Sequence, residues 1–109
     1  MSTTRTRTIE WQGASGARYK YWIYPLPPNF DSVPGNYLFA KEVAPGKWRP
    51  IYVGQTNDLS ERFDSHHKAA CFKRNGATHI HAHAHSGGEA ARLAEERDLK
   101  LGLNPTCNG

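Results

Sequence analysis

Hydrolysis of a phosphodiester needs an activated water, neutralised charge on the phosphoryl oxygens, and help for the departing oxygen. This chain carries residues of the right types. Arg62 and His66 stand four apart, so on a helix their side chains emerge on one face and converge on a single phosphate. Arg62, planar and always charged, is the fixed cation for it. The adjacent carboxylates Glu95 and Glu96 are of the type that holds a hydrated divalent ion, which completes its shell with water and phosphate oxygens. A rival chemistry lies in His79, His81, His83 and His85, which alternate with Ile80, Ala82 and Ala84. Imidazoles in that pattern share one strand face and bind Zn²⁺, Ni²⁺ or Cu²⁺, but successive ones lie roughly 7 Å apart, so at most two share an ion. The alternative is a polar sheet face opposite an Ile80, Ala82, Ala84 core face.

The elements that position these residues follow from the pattern. Met1 to Arg7 is polar and without period, a loose arm. Ile9 and Trp11, the turn residues Gly13 to Gly16, and Tyr19, Tyr21 and Ile23 opposite Trp22 and Tyr24 predict an aromatic β-hairpin. Pro25, Pro27, Pro28 and Pro34 make a stiff connector. Tyr37 to Ala40 and Ile51 to Val53, joined by Ala44 to Lys47, predict two antiparallel strands. Asp58 with Glu61 resembles a capping box, and Leu59, Phe63 and Ala70 continue near helical spacing, predicting a helix from Asp58 to about Phe72. The alternation from Ala77 to His85 predicts a strand. Ser86 to Glu89 predicts the start of a last helix with Ala90, Leu93, Ala94 and Leu101 inward, stopping at Gly102 and Pro105. The order predicts an α+β fold, a small antiparallel β-sheet with helices, divided into residues 1–34 (arm, hairpin and connector) and 35–109.

Gly35-Asn36-Tyr37 and Tyr52-Val53-Gly54, followed by Arg62 ten residues after Tyr52, His66 four further on, Glu96 in the last helix and Asn108 after Leu103-Asn104-Pro105, resemble the GIY-YIG nuclease superfamily. The resemblance runs from Gly35 to Asn108 and leaves the N-terminal hairpin outside as an extension. Asn36 and Val53 stand where the family name has isoleucine, at positions that alternate away from the tyrosine face. The resemblance implies an endonuclease that hydrolyses DNA phosphodiesters, with RNA left open, through one metal on Glu96, Mg²⁺ by default and Mn²⁺ as the alternative. It implies that Tyr37 takes the proton from the attacking water. A phenol near pKa 10 is a poor base at neutral pH, so a neighbour must lower it, and His66 is the candidate. Tyr52 then orients phosphate or water, Asn108 braces the site, and Gly35 and Gly54 are the motif glycines.

Charge and composition set bounds. The chain has 109 residues, 14 Lys+Arg against 10 Asp+Glu, and a net charge of +4, a modest excess that favours a polyanionic partner. Lys68, Lys73 and Arg74 gather at the end of the first predicted helix and are candidate backbone contacts. Cys71 and Cys107 lie far apart with no CxxC partner, which predicts free thiols and a reducing compartment. No apolar run approaches the roughly 18 residues of a membrane span, so a soluble, cytoplasmic protein is expected. One active site per chain cuts one strand at a time, so cutting a duplex takes a homodimer or two events. Two other classes stay open: a non-cleaving nucleic-acid-binding module of the same fold, and a metal-binding protein built on the histidine stripe.

Overall fold

The computed structural model describes residues 7–26, 29–61 and 66–108. Strands β1 (Arg7–Gln12), β2 (Arg18–Pro25), β3 (Gly35–Ala44), β4 (Lys47–Thr56) and β5 (His79–Ala84) form one five-stranded antiparallel sheet in the order β1-β2-β5-β3-β4. Helix α1 (Ala69–Arg74) precedes β5, α2 (Glu89–Leu103) follows it, and a separate 3₁₀ turn, Thr106–Asn108, comes after α2. The architecture is α+β. The hairpin β1-β2 is continuous with the remainder, because β2 pairs with β5 through Trp22–Ala82 and Tyr24–Ile80. Its tip is also tied to α2. The Asp98 carboxylate accepts from the Ser15 N–H (2.8 Å), the Ser15 hydroxyl (2.7 Å) and the Tyr19 hydroxyl (2.8 Å).

Side-chain alternation gives the sheet two packed faces. On one, Tyr37, Phe39, Ile51, Leu59, Phe72, Ile80 and Ala82 cluster under α1, with the Phe39 and Phe72 rings stacked 4.0 Å apart. On the other, Trp11, Tyr21, Leu38, Ala40, Val53 and Leu99 cluster, with Leu99 contributed by α2. A bulge between Phe39 and Ala40 opposes Pro50 and Tyr52 to consecutive residues. The extra residue, Ile51, therefore joins Tyr52 on the α1 side.

Several expectations are corrected. The helix expected from Asp58 does not start there. Asp58 Oδ1 accepts from the Ser60 N–H, the Asp58 N–H donates to Thr56 Oγ1, and Glu61 accepts from the Thr56 hydroxyl. These local bonds use the groups that a capping box needs. Helix α1 begins only at Ala69, and His66 lies before it. The last helix begins at Glu89, not Ser86, with Gly88 at φ 96° as its N-cap and no side-chain cap. Its inward face is Arg92, Glu95 and Leu99, while the expected inward residues Leu93 and Leu101 are exposed. Arg92 is buried against Gln55 and Asn57 and Glu95 against His83 and His85, while Leu99 joins the apolar cluster. Finally, Cys71 and Cys107 form a disulfide across 36 residues, tying α1 to the C-terminal turn. The free thiols are overturned, and the argument for a reducing compartment falls with them. Among the described residues, no helix is long and apolar enough to cross a membrane.

Candidate active site

The register lays the motif residues out in rows on the α1 face. Gly35 lies between Thr56 and Ala84, Tyr37 between Gly54 and Ala82, and Phe39 between Tyr52 and Ile80. The two glycines are explained by contact. A Cβ on Gly54 would fall 2.6 Å from the Tyr37 Cζ and hydroxyl oxygen, and one on Gly35 would fall 2.3 Å from the His83 carbonyl oxygen. Gly54 is thus the gap across which Tyr37 lies, and Gly35 permits the close approach of β5 and Leu59. Asn36 and Val53 point to the other face, as alternation requires. Asn36 Nδ2 donates to the Arg92 carbonyl there.

Tyr37, Tyr52 and His66 converge. The Tyr37 hydroxyl lies 2.8 Å from His66 Nε2. The Tyr52 ring meets His66 edge-on at 5.0 Å and Tyr37 at 6.1 Å. The tautomer of His66 follows from its other nitrogen: the Lys68 N–H donates to Nδ1 at 3.0 Å, so in the neutral ring the proton is on Nε2 and is donated to the Tyr37 oxygen. Burial, with the neighbouring His67 charge, holds the His66 pKa below its ordinary value and favours that neutral form.

Both phenols are raised. For Tyr37, burial is the main cause, followed by the charges of Tyr52 and Glu96; for Tyr52, burial and then Glu96. The two phenols also act on each other, Tyr52 raising Tyr37 and Tyr37 lowering Tyr52. The charge of Glu96 is thus felt by both phenols, although Glu96 lies on α2, which packs through Leu99 on the other face of the sheet. Its carboxylate pairs with Lys100 Nζ at 3.3 Å and is partly exposed. An exposed i,i+4 pair is worth about 0.3–0.5 kcal/mol, too little to hold the carboxylate from a divalent ion. A hydrated hard cation needs one carboxylate oxygen and few other protein ligands, so this donor set fits Mg²⁺ or Mn²⁺. Among the described residues, no cluster of three or more His, Cys, Asp or Glu gathers at ligating distance.

Asn108 acts on β4. Its side-chain Oδ1 accepts from the Val53 N–H at 2.8 Å and its Nδ2 donates to the Val53 carbonyl at 3.0 Å. The side-chain amide thus supplies the hydrogen bonds of a missing neighbouring strand beside Tyr52, and the disulfide at Cys107 anchors it. Arg62 and Phe63 lie outside the described residues. Of the candidate backbone contacts, Lys68 is half-buried before α1, while Lys73 and Arg74 are exposed in its last turn.

The histidine stripe is covered at His81 and partly exposed at His79, His83 and His85. His81 is fully buried; its Nδ1 accepts from the Trp11 indole N–H at 3.0 Å and Trp48 meets its ring edge-on at 4.6 Å. His83 Nε2 lies 2.7 Å from Glu95 Oε2, which also accepts from the buried Tyr21 hydroxyl at 2.7 Å, and His85 Nε2 lies 3.6 Å from Glu95 Oε1. Sequence reasoning passed over Glu95 as the neighbour of Glu96. The signal was the series Arg92, Glu95, Leu99, Leu103, a helical face whose polar members answer the histidines of β5. Arg92 on the same face donates to Gln55 Oε1, Asn57 Oδ1 and the His85 carbonyl, fixing α2 to the end of β4.

No protein-family model matches this chain, and neither does any curated protein or solved structure compared with it.

Proposed function

We propose that the chain is a metal-dependent endonuclease that hydrolyses DNA phosphodiesters through a single-metal site of the GIY-YIG type. The observation that carries the reading is the convergence of Tyr37, Tyr52 and His66 on one sheet face, with the Tyr37 hydroxyl 2.8 Å from His66 Nε2 and Glu96 in electrostatic reach. Glu96 is the residue that would hold the ion. When bound, a hydrated Mg²⁺ or Mn²⁺ supplies positive charge that offsets the phosphoryl oxygens and lowers nearby phenol pKa values.

Tyr37 receives the proton of the attacking water as its phenolate, its own phenol proton having first passed to bulk water. Its phenolate has two donors to stabilise it, His66 Nε2–H and, once its rotor turns, the Tyr52 hydroxyl. These oppose the burial that raises it at rest. Tyr52, the less buried phenol, orients the phosphate or the water. Asn108 keeps β4 and hence Tyr52 in place through Val53. Arg62 neutralises the phosphate, a role resting on residue type and its place in the motif.

Supercoiled plasmid and single-stranded oligonucleotide incubated with Mg²⁺, Mn²⁺ or EDTA test the reading. Metal-dependent nicking that falls at least about 100-fold in Tyr37→Phe is expected, general-base loss being worth about 10²–10⁴. Metal-independent salt-sensitive binding without cleavage would replace the nuclease with a binding module.

A further inference from the structure

A cleft of about 210 Å³ opens on the same sheet face as Tyr37, on the hairpin side. Its floor is Ala82 and Ala84 of β5, its walls are Trp22, Tyr24, Phe30 and Val33, and Asp31 lines it as well. The sequence makes the depression: Ala82 on β5 lies between Trp22 on β2 and Tyr37 on β3, and Ala84 lies beside Gly35. Trp22, Ala82 and Tyr37 share one row across β2, β5 and β3, which puts Trp22 about 10 Å from Tyr37 at ordinary strand spacing.

We infer that this cleft takes one unpaired nucleobase of the substrate strand, next to the bond that the Tyr37 site cleaves; the inference rests on the nuclease reading and narrows its substrate to nucleic acid with an unstacked nucleotide at the site. The cleft is smaller than the roughly 300–1,000 Å³ of drug-sized sites and suits a single planar ring. Trp22, an exposed large aromatic at 36%, supplies a stacking face, and stacking on an aromatic accepts any base. Asp31 supplies an acceptor for an amino-bearing base edge. The Lys20 ammonium sits over the Trp22 ring at 5.1 Å, where it meets the backbone phosphate of a stacked nucleotide. The aromatic wall, the carboxylate acceptor and the cation thus match the three parts of a nucleotide, and the row to Tyr37 sets the order along the strand.

The test uses single-stranded oligonucleotides with 2-aminopurine moved one position at a time, bound in EDTA, alongside cleavage assays in Mg²⁺. Fluorescence should be quenched at one position, next to the mapped cut. Trp22→Ala should abolish that quenching and weaken binding about tenfold, Trp22→Phe should restore most of it, and Asp31→Ala should weaken binding of amino-bearing bases more than of thymine. Quenching absent in the parent protein, or unchanged in Trp22→Ala, overturns the cleft. Cleavage that persists in that case leaves the nuclease reading intact, whereas position-specific quenching without cleavage in any metal keeps the cleft and removes the nuclease.

Discussion

Tyr37 lies across Gly54, so closely that a Cβ at position 54 would fall 2.6 Å from the phenol oxygen. The second motif glycine therefore exists to seat the first motif tyrosine. Gly54→Ala must push the ring away, and an overpacked core of this kind costs about 1–3 kcal/mol. Urea denaturation should show that loss, and cleavage should fall further than stability because the Tyr37–His66 contact is displaced.

The state of His66 fixes the acid side of the pH profile. Burial lowers its pKa from 6.5, and the proton that binds at low pH goes to Nδ1, breaking the bond from the Lys68 N–H. Cleavage by the parent protein should therefore hold through pH 6.5 and fall only below it. In His66→Gln that acid limb should be absent, and the rate reduced at every pH; an unchanged limb would assign it to another group.

His81 predicts a stability effect independent of function. Burial pushes its pKa down to about 3, against about 6.5 in an unfolded chain. The unfolded state takes up the proton first, so the contribution of His81 is complete above pH 6.5 and is lost as pH falls toward 3, by about 1.4 kcal/mol per pH unit. His81→Gln keeps an acceptor for the Trp11 indole and removes this titration. Its stability, followed by urea denaturation from pH 7 to 4, should fall less steeply than that of the parent.

The disulfide closes a loop of 36 residues. Reduction should lower stability by about 2–4 kcal/mol, and a Cys71→Ser, Cys107→Ser chain should reproduce the loss. If dithiothreitol leaves the urea midpoint unchanged, the two thiols are not paired in solution.

The strands were legible because their signals are local. Tyr37 to Ala40 and Ile51 to Val53 alternate or run apolar between turn residues, and the His79 to Ala84 alternation is strict, so β3, β4 and β5 stand where expected. The role of Gly54 was not legible, since it depends on Tyr37 lying opposite across the β3–β4 register. The helix start expected at Asp58 was misjudged because Thr56 satisfies Glu61 and Asp58, partners that helix propensity does not count, and Arg62 lies outside the described residues. The inward face of α2 was misjudged for the converse reason: Arg92 and Glu95 read as surface residues until β5 brings His83 and His85 against them. The Cys71–Cys107 pairing was invisible because β5 and α2 intervene in sequence while the C-terminal turn returns in space to α1.

Glu96 is the residue on which the account turns. Cleavage of a single-stranded oligonucleotide should be measured under single-turnover conditions with Mg²⁺ titrated, comparing the parent with Glu96→Gln and with Glu95→Gln. The account predicts a metal-saturable rate that Glu96→Gln reduces by at least about 100-fold, since the charge stabilisation it removes is worth several kcal/mol, while Glu95→Gln lowers stability but leaves the metal dependence of the folded protein unchanged. Cleavage by Glu96→Gln at the parent rate and metal concentration would contradict it.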